Sequence, residues 1–215
     1  MESVRQTLTN WLQSRPTEEV SLAGRIARTS LGLEQFVETI GEVNHPAVLD
    51  LGRVWNSTVS FFTGLGCKLY SEDLFQSLYQ ALNESGPDLP PLEQRFLGSV
   101  LQYPEESLRG ILAWDFLDYL PEPLVAPVAH RLFDRLEPGG AFLGFFHDRA
   151  AENGSGSFIR FRVLDPRTVE LLPGSLPLKQ QRSFANRALL QLFEGAHSSR
   201  TFVGRDHLRE FFVVK

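Results

Sequence analysis

The chain has 215 residues, 42% hydrophobic and 22% charged, ordinary globular usage that excludes a disordered or fibrous class and suffices for one domain with a full core. Its net charge of -5 argues against broad nucleic-acid binding, which relies on clustered Lys and Arg to neutralise phosphates. One cysteine, Cys67, excludes an internal disulfide and permits a reducing compartment. Met1 to Arg5 lacks a signal-peptide pattern, and no apolar run approaches the roughly 18 residues of a membrane span, so a soluble cytoplasmic protein is expected. Charge is unevenly divided: residues 151–215 hold ten Lys and Arg against six Asp and Glu, and residues 1–150 hold eleven against twenty. A basic tail could face an anionic substrate or partner, but a solvated face on a mixed surface is the favoured reading, since such asymmetry specifies little.

In chain order, Val4, Leu8, Trp11 and Leu12 recur at helical spacing, then Val20, Ala23, Ile26 and Ala27, then Leu33, Phe36, Val37 and Ile40. Two or three helices are therefore predicted ahead of the first strand. That strand is Ala47 to Leu49, introduced by Pro46 and running into the turn Asp50-Leu51-Gly52-Arg53-Val54-Trp55-Asn56. A short apolar run of this kind fits a strand buried on both faces of a parallel sheet. A helix over Ser57 to Gly64 leads to a second short strand, Lys68 to Tyr70, and Leu74, Leu78 and Leu82 make the next helix apolar on one face. Between Leu92 and Tyr103 the pattern supports a helix and a brief strand at Arg95 to Gly98 equally. Gly110 to Trp114 is a clearer strand, followed by a helix from Pro123 to Leu136 that Pro138-Gly139-Gly140 stops, and a fifth strand over Ala141 to Phe146. Phe158 to Leu164 alternates apolar and basic residues and pairs in prospect with Thr168 to Leu172, a hairpin inserted after strand five. A helix near Asn186 to Phe193 and strands around Thr201 to Val203 and Glu210 to Val214 complete the pattern.

Val48-Leu49-Asp50-Leu51-Gly52, Tyr70-Ser71-Glu72-Asp73-Leu74, Ile111-Leu112-Ala113-Trp114-Asp115 and Leu136-Glu137-Pro138-Gly139-Gly140-Ala141, in this order, resemble the class I S-adenosylmethionine-dependent methyltransferases over about residues 45–215. The resemblance implies an α/β three-layer sandwich with a seven-stranded, mostly parallel sheet whose last strand is antiparallel. Helices 1–44 would form an N-terminal cap on a 45–215 methyltransferase-like domain, with an insertion over 149–182. It implies S-adenosylmethionine as cofactor and a small molecule as methyl acceptor. Asp50 and Gly52 match the family's opening acid and first glycine, near the methionine part of the cofactor. Asp73 matches the acid that accepts from the ribose hydroxyls, a task suited to a group that only accepts, with Glu72 as the neighbouring fallback. Trp114 and Asp115 fall where the family places cofactor and substrate contacts.

The glycine-rich motif is degenerate. Val54 and Asn56 replace its later glycines, with Trp55 between them; Ser99 stands where an acid often contacts adenine if residues 96–99 are strand three; and Leu108-Arg109-Gly110 replaces an aromatic and an acid. These β-carbons and the ring occupy space near the cofactor's approach, and they support a second reading, a non-catalytic methyltransferase-like module with a protein partner. The same candidates have plain structural roles open to them: Asp50 and Asp73 as helix caps, Trp114 as packing, Cys67 as core, and His147 and Asp148 as a surface loop or a general base. A nicotinamide-dependent dehydrogenase is a weaker third option, since the turn lacks the later glycines a pyrophosphate needs.

Overall fold

A computed structural model describes residues 25–148, 158–204 and 206–215. Two sheets organise it. The larger has six strands: β2 (Ala47–Asp50), β3 (Lys68–Ser71), β4 (Leu108–Trp114), β5 (Leu136–His147), β8 (Ser198–Val203) and β9 (Leu208–Val214). They lie in the order β3-β2-β4-β5-β9-β8. β2 pairs in parallel with β3 and β4, and β4 with β5, while β9 runs antiparallel between β5 and β8. The smaller sheet, order β1-β7-β6, is antiparallel and contains β1 (Ile26–Thr29), β6 (Ile159–Asp165) and β7 (Thr168–Pro173).

Helices cover both faces of the larger sheet, an α/β arrangement. On one face α1 (Leu31–Ile40) packs on β4, β5 and β9, beside α2 (Asn56–Gly64). Ser30 caps α1 by accepting from Leu33 N–H, and the periodic Leu33, Phe36 and Ile40 turn inward. Gly110 of β4 is what lets α1 sit so close: a β-carbon there would stand 2.5 Å from the Phe36 ring. On the other face are α3 (Leu74–Asn83), α4 (Leu92–Ser99), α6 (Glu122–Arg135) and α7 (Asn186–Leu192), with the short α5 (Phe116–Tyr119) following β4. Phe142, on the opposite side of β5 from the Leu143 that meets α1, packs against Phe193 at the end of α7.

Several sequence expectations change here. The sheet is six-stranded and mixed among the described residues, not seven-stranded and mostly parallel. The missing strand is Phe96-Leu97-Gly98-Ser99, which is helical in α4; Pro91 opens that helix and Phe96 is its buried anchor, so β3 is left at the sheet edge. Ile26 and Ala27, expected in a helix, form β1. There β-branched Ile26 and Thr29 pair with Leu171 and Thr168 of the hairpin, and tertiary pairing overrides a weak helical period. The stop at Pro138-Gly139-Gly140 lies inside β5. Leu136 pairs with Leu108 and Ala141 with Gly110, so a bulge absorbs the three extra residues of β5. The other predicted elements stand within a few residues of their expected bounds. The helices expected from Val4 to Leu12 and around Val20 and Ala23 lie outside the described residues.

One joint ties the small sheet to the large one. Glu210 of β9, 2% exposed, accepts from Arg28 of β1 at 2.9 Å, from the Ser30 hydroxyl at 2.8 Å and from Gly32 N–H at 2.6 Å. Burial raises the Glu210 carboxyl above its usual range, with the Ser30, Gly32 and Arg28 donors acting against that rise. No described helix is long and apolar enough to cross a membrane.

Candidate functional site at the carboxyl ends of the strands

Asp50 ends β2 between β3 and β4, opposite Ser71 and Leu112, so its carboxyl group leaves the sheet at an interior strand end. It is buried, and its Oδ1 accepts from Gly52 N–H at 2.9 Å and from the Trp114 indole N–H at 2.6 Å. Burial pushes its pKa up to about 6; the Gly52 and Trp114 hydrogen bonds favour the anion but do not cancel that effect. Gly52 is required by the indole's approach, because a β-carbon there would stand 2.8 Å from Trp114 Nε1.

Trp114 ends β4 with φ 51°. A left-handed backbone costs a side-chain-bearing residue roughly 1–2 kcal/mol, so its surroundings must hold it there. They do so through the Asp50 hydrogen bond and through Phe161 of β6, stacked on the indole with centroids 5.2 Å apart and planes 6° from parallel. Phe145 of β5 adds a tilted contact at 5.8 Å. Trp114 is 1% exposed and Phe161 3%.

Asp73 follows the end of β3 and caps α3, its Oδ1 accepting from Gln76 N–H at 3.1 Å. The same oxygen takes the Arg160 guanidinium of β6 at 2.7 Å. Arg160 is itself buried, over the rings of Phe75 and Phe158 at 5.4 and 4.9 Å. Val163 N–H of β6 donates to Thr58 Oγ1 on α2 at 3.0 Å. The hairpin therefore lies across the ends of β2 and β4 and the starts of α2 and α3, meeting Asp73 and Trp114 with matched groups. Glu72 is engaged elsewhere, accepting from Leu101 N–H at 3.0 Å.

The degenerate positions are placed as follows. Trp55 precedes α2 and has the guanidinium groups of Arg53 and Arg162 over its ring at 5.2 and 5.9 Å. Val54 is exposed. Ser99 ends α4 by donating to Phe96 O. Arg109, buried near the amino-terminal end of β4, binds Thr39 O and Glu42 and joins α1 to the sheet. Cys67 is buried, and that burial raises its thiol.

A second cluster lies beside this one. Asp115, wholly buried, meets His147 Nε2 at 3.1 Å through Oδ2, and His147 N–H donates to Asp118 Oδ2 at 2.8 Å. The remaining oxygens, Asp115 Oδ1 and Asp118 Oδ1, are buried without a hydrogen-bond partner. Burial raises Asp115, and it pushes Asp118 up to about 8, where the His147 N–H lowers it and the Asp115 charge raises it further. For His147 burial acts downward, but the hydrogen bond and charge of Asp115, with Asp118 and Asp148, outweigh it and hold the imidazole above its ordinary pKa. An imidazole oriented by a buried carboxylate can take a proton from a hydroxyl or amine. Among the described residues no group of three or more His, Cys, Asp and Glu is placed to hold a metal.

The structure thus brings Asp50, Gly52 and Trp114 together, places Asp73 beside them through Arg160, and turns Asp115 toward His147 instead. Sequence reasoning missed Arg160, Phe161, Thr58 and Asp118. The alternation over residues 158–164 was a usable signal for Phe161, since it marks one apolar face of that strand to bury.

No family model matches the chain, and no curated protein matches it. Solved structures similar to it include S-adenosylmethionine-dependent methyltransferases. One is the Burkholderia thailandensis 1,6-didemethyltoxoflavin-N1-methyltransferase with bound 1,6-didemethyltoxoflavin and S-adenosylhomocysteine, at 17% identity over 86% of this chain and 76% of that one, TM-score 0.47. Another is from Mesorhizobium loti, at 13% identity over 84% and 96%, TM-score 0.47. A third is a TehB-like enzyme from Corynebacterium glutamicum, at 14% identity over 100% and 97%, TM-score 0.45.

Proposed function

We propose that this chain is a methyltransferase-like protein whose cofactor face is closed by its own side chains, so that it serves as a binding or assembly module. The observation that carries this reading is the mutual satisfaction of Asp50, Trp114, Phe161, Asp73 and Arg160. In the family it resembles, the positions of Asp50, Gly52 and Asp73 face S-adenosylmethionine. Here Gly52 faces an indole, Asp50 accepts from it, and Asp73 is neutralised by Arg160, so the residues as arranged do not fit that cofactor. The partner of such a module is a protein.

The second reading is an S-adenosylmethionine-dependent methyltransferase acting on a small molecule. It is favoured by Asp115 and His147, a ready general base at the ends of β4 and β5, and by Asp50 and Asp73 standing at the family's strand ends. Asp50, Gly52, Asp73, Trp114 and Asp115 would then contact cofactor or substrate once the hairpin moved aside. Isothermal titration with S-adenosylmethionine and S-adenosylhomocysteine separates the two. The closed-face reading expects no heat and no thermal shift at millimolar ligand, whereas micromolar binding by the full chain overturns it.

A further inference from the structure

Among the described residues the larger sheet ends in β3 on one side and β8 on the other, and the two edges are built differently. β3 is four residues long and carries Lys68, features that discourage another chain from pairing there. β8 runs for six residues, Ser198-Ser199-Arg200-Thr201-Phe202-Val203, in unbroken register with β9, and has no Pro, no Lys and no bulge. Val203 at its end is 71% exposed, the most exposed large apolar side chain among the described residues. An unguarded edge of this kind takes up a further strand. We propose that this strand is β8 of a second copy of the chain, the two running antiparallel about a twofold axis at Thr201. The dimer edge lies away from the closed cofactor face and goes beyond that reading, since it gives the protein partner as a second copy.

The side chains select both the copy and the register. Successive residues of a strand face opposite sides of the sheet. Thr201 and Val203 lie opposite Phe211 and Arg209 of β9, which reach Phe193 at the end of α7 and Asn186 at its start, so Ser199, Thr201 and Val203 share the α7 side. Arg200 and Phe202 share the other side, where Arg200 donates to Gln35 Oε1 of α1. Directly opposed residues of an antiparallel pair share a face, so a twofold axis falls on a residue meeting its own copy. With the axis at Thr201, the two Thr201 hydroxyls meet, and each Arg200 guanidinium lies opposite the Phe202 ring of the second copy. Threonine pairs and cation–aromatic pairs are both favourable. Val203 then lies opposite Ser199 of the second copy. Ser199 lines a groove of about 440 Å³ whose apolar walls include Leu190, Phe193 and Phe211, so the exposed Val203 enters apolar space and the groove is filled, once on each side of the axis. An axis at Arg200 would set two guanidinium groups directly opposite each other, which is destabilising. An axis at Phe202 would pair only residues 201–203 of the strand, where the axis at Thr201 pairs 199–203.

The mass of the full chain in solution, measured by sedimentation equilibrium from about 1 to about 200 µM, tests this over the range of modest interfaces. The expected result is a rise from one chain toward two. Val203→Lys replaces an exposed side chain, so far-UV circular dichroism should be unchanged, and the dissociation constant should rise by at least about tenfold. Thr201→Cys sets two thiols opposite each other with β-carbons about 4.5–5.5 Å apart, close to disulfide reach. On mild oxidation it should give a covalent dimer, while Ser198→Cys and the parent chain, whose Cys67 is buried, stay uncross-linked. A mass of one chain at every concentration overturns the dimer, as does a dimer that Val203→Lys leaves unweakened or one that Thr201→Cys does not cross-link. If Thr201→Cys does not fold, Val203→Lys decides alone. Titration of S-adenosylmethionine is read separately: binding defeats the closed-face reading and leaves the dimer standing, whereas a chain that stays single defeats only the dimer.

Discussion

The two halves of the strand-end row solve the problem of buried acid differently. At the ends of β2 and β3, Asp50 and Asp73 each meet donors from another element, and an aromatic stack seals the space around them. At the ends of β4 and β5, Asp115 and Asp118 are wholly buried, as Asp50 nearly is and Asp73 is not, yet each keeps one oxygen without a donor, and the neighbouring group is a titratable His147. A buried polar atom without a partner is costly, and much more so when its group is charged, which favours the protonated acid. The first half is therefore built like core, and the second like a site that carries protons. The difference teaches that the same fold edge is sealed at the ends of β2 and β3 and left chemically poised at the ends of β4 and β5.

Substitution can break this contrast. The largest effect is expected from Trp114→Ala, which removes a fully buried ring and one of the donors to Asp50; a loss of about 3–5 kcal/mol is expected in urea unfolding. If it costs less than 1 kcal/mol, the first half is not core-like. Asp118→Asn sharpens the second half through pH. Because the folded-state pKa of Asp118 is raised to about 8, its contribution to stability is complete below the ordinary carboxyl pKa and is lost as pH rises through the folded value. The Asn variant should match the parent near pH 4 and exceed it at pH 8.5, by less than an upper bound of about 6 kcal/mol for a pKa raised by roughly 4; equal denaturation midpoints at both pH values would remove the proton from the account. The smallest effect is expected from Arg160→Ala. Asp73 stays partly hydrated beside it, so about 1 kcal/mol is expected from the ion pair by chemical denaturation. A much larger loss would show that the Phe75 and Phe158 rings depend on the guanidinium.

Much of the fold was legible because its signals were local. The apolar run at Ala47 to Leu49, the Leu33, Phe36 and Ile40 period, and the alternation at residues 158–164 each name their element without reference to the rest of the chain. Residues 26–29 and 92–99 were less legible, since the partner that makes Ile26 a strand residue is Leu171, far along the chain, and the helix at 92–99 competes closely with a strand on periodicity alone. In the site, Asp50 and Gly52 could be singled out because acid and glycine at a strand end are unusual residue types there. That Trp114 and not Trp55 would meet them could not be seen. Trp114 stands at the end of β4, and only strand order brings β4 beside β2. Arg160 was hidden for a related reason: a basic residue in an alternating strand reads as solvent-facing until Asp73 is placed opposite it.

The Arg28 and Glu210 joint has a consequence for how the chain is made. The two residues are 182 positions apart, and β1 needs both the hairpin over 159–173 and the late strand β9 before it has anywhere to pair or a carboxylate to hold it. On a ribosome, β1 emerges well before its partners and waits for them across 182 positions. Long-range pairings of this kind form slowly, since loop closure precedes any gain from contact. The small sheet is therefore expected to close last, after the parallel strands have assembled, and the strand-end face stays open to water during synthesis until that final step covers it.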